Sequence, residues 1–293
     1  MKIIFLMPHL LHYFNLILNK VNEIPGVDLT VVIPVEYNSM VGGGGINQTR
    51  ENVKFKVIER KAYKLGPYYT FRNLGKILRN EKPNIIITGD MYPFVFNIYL
   101  RITMKVHNIK LIMRSIPYLV PEYRASFKRL GDAPNRIDKL PQPIRFLVVN
   151  LGVEYFMRRA RAYVNKMIYK RPDAHLNYVD EAREIYGSYG VPDEKLFVTY
   201  NSPDTDALAQ SEKAILGLPS ILPINNSRIL HVGRLVPWKR VDMLVRATRK
   251  LKDRFPDVEL VVIGEGPEKE RLEQLAKELK IESDIVFIGG VYK

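Results

Sequence analysis

Gly233, Arg234, Leu235, Val236, Pro237, Trp238, Lys239 and Arg240 form the stretch of this 293-residue sequence best suited to chemistry. A run of strand character precedes it and one of helical spacing follows. Open α/β sheets bind ligands at such junctions, outside the carboxyl ends of their strands. A helix start offers free backbone N–H groups and the positive end of a dipole, which favour an anion. Gly233 lets the backbone approach closely, Arg234 can grip phosphate oxygens with its planar fork, and Lys239 adds a point charge. Two cations five residues apart on one turn suit a diphosphate. The same spacing also reads as a solvated loop with two surface cations.

A second loop, Gly264-Glu265-Gly266-Pro267, has the same setting. Its glycines permit positive φ and its proline suits a first helical turn, so it reads as a tight turn or as a ligand contact. Near the start, His9 and His12 are three apart and can share a helix face, but no third ligand is near in sequence, so no metal site is expected. His231 reads as a structural residue inside a strand. Arg114, at the end of a strand, reads as a phosphate or acceptor contact or as a structural ion pair. With no cysteine in the chain, thiolate metal sites, disulfides and cysteine nucleophiles are excluded.

The elements that must position these residues follow from hydrophobic patterning. Short apolar, β-branched runs at Ile3–Met7, Asp28–Ile33, Asn84–Thr88, Ile109–Met113, Ala174–Tyr178 and Leu196–Tyr200 alternate with helical spacing. Strands apolar on both sides predict a parallel sheet covered on both faces. After a loose Pro- and Ser-containing segment, Arg228–Val232, Val258–Ile263 and Ile285–Ile288 alternate with two amphipathic helices, a βαβαβ unit. The expected organisation is a first α/β domain over 1–205, a linker over 206–226 and the first half of a second one over 227–293. Gly42–Gly45 reads as a flexible loop, ligand-binding or plain.

The formal charge is +14, and twelve Lys or Arg fall between Arg124 and Arg171 against three acids, so most of the excess is local. Aromatic residues interleave with these cations, from Phe127 to Tyr169. The segment 124–171 reads as an amphipathic surface for an anionic membrane or as a solvated face, and no nucleic-acid-binding module accompanies it. No apolar run reaches about 18 residues, so no spanning helix is expected.

The text H-V-G-R-L-V-P-W-K-R-V-D-M-L-V-R-A, followed by V-V-I-G-E-G-P-E and I-V-F-I-G, resembles the donor domain of retaining GT-B glycosyltransferases of family 4, the glycosyl transferases group 1. Y-G-V-P-D-E-K-L-F-V-T-Y-N-S-P-D-T-D, upstream, and the opening P-H-L-L-H-Y-F-N are also similar to segments of that family. The resemblance implies an α/β protein of GT-B architecture, with two Rossmann-like doubly wound domains. It implies transfer of a sugar from a UDP- or GDP-sugar, without a metal, to a carbohydrate or lipid-linked acceptor, with retention. The positions matching Arg234 and Lys239 bind the donor diphosphate and stabilise the leaving group, and Gly233, Gly264 and Gly266 border the nucleotide. His9, His12, Arg114 and Asn201 fall on the acceptor side. A cytoplasmic enzyme peripheral to the inner membrane face is the corresponding expectation.

Three departures stand out. His9-Leu10-Leu11-His12 replaces the Gly-Gly pair of many members, and Met113-Arg114-Ser115 stands where many have a histidine. The E-x7-E element that contacts the donor sugar and ribose is missing after Gly289, so the second domain is expected to be incomplete and turnover slow. A non-catalytic membrane-associated or scaffolding subunit, or half of a split transferase, is the alternative.

Overall fold

A computed structural model describes residues 1–35, 52–65, 68–117, 120–127, 142, 153–200, 205–219 and 222–291. Asn201, Gly42–Gly45 and nearly all of 128–152 lie outside the described residues. The chain divides into two compact units. One comprises Met1–Pro8, Leu16–Val35 and Asn52–Pro203; the other His9–Asn15, Glu36–Glu51 and Asp204–Lys293.

In the first unit, β1 (Lys2–Leu6) leads through α1 (His12–Asn22), of which Leu16–Asn22 belong to this unit, to β2 (Asp28–Pro34) and β3 (Lys56–Arg60), and a hairpin of β4 (Ala62–Leu65) and β5 (Tyr68–Phe71) follows. Next come α2 (Leu74–Glu81), β6 (Ile85–Thr88), α3 (Tyr92–Phe96), α4 (Ile98–Val106) and β7 (Lys110–Ser115). The unit closes with α5 (Val153–Lys170), β8 (Ala174–Asn177), α6 (Glu181–Ser188) and β9 (Leu196–Val198). The parallel sheet has the order β3-β2-β1-β6-β7-β8-β9. Central strands are apolar on both faces because helices cover both: Leu29 to Pro34 are all buried. Ile4, Val32, Ile86 and Leu111 join Leu78, Phe94 and Tyr186 in the core. The strand order reverses between β1 and β6, which opens a crevice at their carboxyl ends.

The second unit holds α7 (Thr205–Ile215), β10 (Arg228–Val232), α8 (Val241–Lys252), β11 (Glu259–Ile263), α9 (Lys269–Glu278) and β12 (Ile285–Gly289). The segment expected as a loose linker, 206–226, is therefore helical over its first half. None of the residues of α7 is buried, so no apolar stripe betrayed the helix. β10, β11 and β12 form a parallel sheet in that order. Leu260, Val262 and Ile285 pack with Val241 and Val245 of α8 and Leu272 and Leu275 of α9 on one face. On the other face Val261 of the central strand is buried, but Leu230, Val232 and Ile288 beside it are exposed, Val232 to 68%. Open apolar sheet surface drives association. Serine at both Leu230 and Val232 is expected to lower self-association in concentration-dependent light scattering. Equal association by parent and variant would place the contact elsewhere.

His175 gives the first unit a pH dependence. It is fully buried on β8, its Nε2 lies 2.8 Å from the Tyr169 carbonyl oxygen, and its ring lies against Tyr186 at 5.0 Å. Nε2–H donates to that carbonyl in the neutral ring, and Nδ1 is buried without a hydrogen-bond partner among the described residues. Burial pushes its pKa from 6.5 to about 4, against the raising effect of the backbone bond. The unfolded chain therefore takes up a proton that the folded one refuses. This stability is complete above pH 6.5 and is lost as the pH falls toward 4, up to about 3 kcal/mol. Urea midpoints at pH 7.5 and 4.5 should fall further for the parent than for His175→Gln; equal falls would remove His175 from the linkage.

Candidate functional site

Past the ends of its strands the small sheet continues as laced loops. Gly233 N–H donates to the Ile263 carbonyl at 2.9 Å, Leu235 N–H to the Glu265 carbonyl at 2.9 Å, and Gly264 N–H to the Gly289 carbonyl at 2.8 Å. Glu268 N–H returns to the Leu235 carbonyl at 3.0 Å, and Glu265 Oε1 accepts from Gly290 N–H at 3.2 Å. This lacing explains two glycines. A β-carbon at Gly264 would lie 1.9 Å from the Gly233 carbonyl oxygen, and one at Gly266 2.2 Å from that of Leu235. Close approach of neighbouring loops, more than a turn, requires these glycines. Gly233 itself has room: a β-carbon there would meet His231 Nε2 at an ordinary 3.4 Å.

Leu235 and Val236 are fully buried and anchor the loop, which leaves Arg234 half-buried and Lys239 exposed. The Arg234 guanidinium lies 5.7 Å from the centre of the Trp238 ring, a cation–π distance. The spacing placed both cations on the turn that opens α8, and the structure differs. Pro237–Lys239 form a separate 3₁₀ turn, Arg240 takes a left-handed conformation at φ 52°, and α8 begins only at Val241. The first turn of α8 carries its own anion, Asp242, which accepts from Arg240 Nε at 3.1 Å. That bond holds the Asp242 carboxyl below its ordinary range. Arg234 and Lys239 thus belong to the loop ahead of the helix. His231 Nε2 is buried without a hydrogen-bond partner among the described residues, and burial, aided by the charge of Lys239, pushes the imidazole pKa down.

In the first unit, a cavity of about 310 Å³ occupies the crevice where the strand order reverses. Met7, Pro8, Phe71, Thr88, Asp90 and Phe94 line it. Thr88 Oγ1 accepts from Asp90 N–H at 3.0 Å, and Asp90 Oδ1 accepts from Tyr92 N–H at 3.2 Å, which fixes the carboxylate at the start of α3. The sequence reading missed Thr88 and Asp90 as site residues; their place at the end of the strand beside β1 was the available signal. Arg114, second from the end of β7, lies over the Tyr178 ring at 4.6 Å and the Phe5 ring at 5.9 Å. Beside it, Ser115 Oγ donates to Asn177 Oδ1 at 3.0 Å and lies 2.7 Å from the Tyr186 hydroxyl. Burial pushes that phenol up to about 12. His9 is half-buried in the turn after β1, and His12 is the first residue of α1. The side chain of His12 lies outside the described residues.

Residues 218–293 match the family described as glycosyl transferases group 1. Over 194 residues the chain is 27% identical to a Campylobacter jejuni N-acetylgalactosamine-N,N'-diacetylbacillosaminyl-diphospho-undecaprenol 4-alpha-N-acetylgalactosaminyltransferase, covering 59% of this chain and 51% of that protein. It is 36% identical over 91 residues to a Mycolicibacterium smegmatis GDP-mannose-dependent alpha-(1-6)-phosphatidylinositol monomannoside mannosyltransferase, covering 31% of this chain and 22% of the relative. The chain thus spans about half the length of the first relative and less of the second. Among solved structures, Anabaena HepE in complex with UDP superposes with a TM-score of 0.55 at 16% identity, over 99% of this chain and 70% of HepE.

The two parallel α/β sheets are those of the GT-B fold. Within it, residues 218–293 are the stretch that resembles the glycosyl transferases group 1.

The loop lacing makes a contrast that can be measured. Gly264→Ala forces main chain against main chain and is expected to cost on the order of 2–3 kcal/mol in chemical denaturation. Gly233→Ala, with space for its methyl group, should cost under about 1 kcal/mol. Similar losses for both would mean that the loops are not held at this distance.

Proposed function

We propose that the chain is a glycosyltransferase that moves a sugar from a nucleotide sugar to a glycan or lipid-linked acceptor with retention of configuration. The observation that carries the reading is the pair Arg234 and Lys239 on an anchored loop at the carboxyl edge of the small sheet, inside the stretch that matches the group 1 family. As the glycosidic bond to the donor breaks, negative charge grows on the departing diphosphate. The Arg234 fork takes two of its oxygens and the Lys239 ammonium neutralises a third, a preorganised response that lowers the barrier without a metal. Gly233, Gly264 and Gly266 leave the adjoining surface free of side chains where the nucleotide lies. The crevice at Thr88 and Asp90 receives the acceptor in this reading, and His9, His12, Arg114 and Asn201 remain its candidate acceptor contacts.

The relatives support this choice of substrates. The C. jejuni protein is named for a diphospho-undecaprenol substrate, the M. smegmatis protein for GDP-mannose and a phosphatidylinositol mannoside, and HepE was solved with UDP. Lipid-linked acceptors place the enzyme at a membrane surface, peripheral to its cytoplasmic face. No helix among the described residues is long and apolar enough to cross a bilayer. Of the basic segment 124–171, α5 carries Arg158, Arg159, Arg161 and Lys166 among exposed Phe156, Met157 and Tyr163, the composition of an interfacial helix. The open face at Leu230 and Val232 favours one second reading, a subunit that works only with another polypeptide covering that face.

Arg234→Ala and Lys239→Ala are each expected to lower kcat/KM for the nucleotide sugar by roughly 100-fold or more, the usual cost of deleting a group that stabilises developing charge. UDP-glucose and GDP-mannose serve as donors in turnover assays and in calorimetric titration. Unchanged turnover in both variants would overturn the assigned role of the loop.

A further inference from the structure

A second cavity, this one cationic, lies at the opposite end of the large sheet. It has a volume of about 470 Å³ and sits between α4, the amino end of β7 and the turn from α5 into β8. Four cations line it: Arg101 and Lys105 on α4, Lys110 at the start of β7, and Arg171 just before β8. Its one acid is already engaged. Asp173 Oδ2 accepts from Leu111 N–H at 2.9 Å, and Oδ1 lies 3.7 Å from Lys110 Nζ. Arg101, Lys105 and Arg171 make no ion pair among the described residues, and the Nε of Arg171 is buried without a hydrogen-bond partner. A buried guanidinium nitrogen with no acceptor is costly unless a ligand supplies one.

The helix that forms one wall says what kind of ligand. α4 buries Leu100, Thr103 and Met104, yet its outer face is also apolar: Ile98, Ile102 and Val106, at i, i+4 and i+8, are 63%, 56% and 72% exposed. Arg101 and Lys105 flank that stripe. A free phosphate would satisfy the cations and leave the stripe in water. A lipid satisfies both, with its head group in the cavity and its acyl boundary against the stripe.

We propose that this cavity binds the phosphate head group of an anionic bilayer lipid and that α4 lies in the interface beside it. The proposal rests on the reading that the chain works at a bilayer, and it names a site at the amino ends of β7 and β8, at the opposite end of the same sheet from the carboxyl edge assigned to the acceptor.

The test is co-sedimentation with vesicles of phosphatidylcholine alone or with one third phosphatidylglycerol, without nucleotide sugar. The parent should favour the anionic vesicles. Arg101→Glu with Lys105→Glu should weaken that binding roughly tenfold or more, given about 1 kcal/mol per basic residue near an anionic surface. Ile102→Ser with Val106→Ser should weaken it while leaving its salt dependence in place. Unaltered thermal midpoints serve as the control for folding, since all four side chains are exposed.

Parent-like vesicle binding by the charge-reversal variant would overturn the cavity and leave the bilayer reading standing. Failure of the parent to bind either vesicle would overturn both. Parent-like binding by the serine variant, with inorganic phosphate displacing the protein from vesicles, would show a pocket for soluble anions and overturn the lipid. A change of oligomeric state in the charge-reversal variant would assign the surface to a second copy of the chain and overturn it likewise.

Discussion

The carbonyl oxygens of Gly233 and Leu235 occupy the space that β-carbons of residues 264 and 266 would need in any other residue type. This approach lets the main chain of one βα loop pair with the next, so the ladder runs beyond β10 and β11 into the segment that carries Arg234. A loop held by its own backbone and by buried Leu235 and Val236 can present a guanidinium in a fixed place without drawing on a ligand for order. Preorganisation of that kind separates a charge that stabilises a leaving group from a surface charge that must first be immobilised.

The same economy of positions appears in the larger unit. At the carboxyl ends of its strands, the reversal of strand order makes a crevice, and the short polar residues Thr88 and Asp90 close hydrogen bonds with the chain as it turns into α3. At the amino ends, where helices finish, cations collect: Lys105 in the last turn of α4, Lys170 in the last turn of α5, and Lys110 and Arg171 at the strand starts. Helix C-termini favour positive charge. Dipole complementarity accounts for Lys105 and Lys170. It does not account for the Nε of Arg171, unpartnered among the described residues, or for the exposed apolar stripe of α4, and on these two features the proposed lipid site rests.

How much was legible in the sequence depended on whether a residue's role was local. The strands β1, β2 and β6 were readable because a parallel strand covered on both sides must be apolar at every position. β10 to β12 were readable as short apolar runs between amphipathic helices, although one face of their sheet keeps exposed side chains. Lys56–Arg60 escaped because β3, at the sheet edge, is only partly covered and keeps its charges. α7 escaped for the opposite reason, having no covered face at all. Arg114 was placed correctly at a strand end, but its observed partners are the rings of Tyr178 and Phe5, in segments distant along the chain.

By itself the sequence determined the α/β class, the two-sheet organisation and the strand-to-helix junction that carries Arg234 and Lys239. Each of these follows from periodicity or from residue types adjacent along the chain. Only the tertiary structure decided what the glycines at 264 and 266 are for, that Asp242 already occupies the first turn of α8, and that Thr88 and Asp90 border a crevice. It alone assembled Arg101, Lys105, Lys110 and Arg171 around one cavity. The physical reason is common to all of them: these roles depend on distances between atoms of different elements, and such distances are set by how sheets order their strands and how helices cover them.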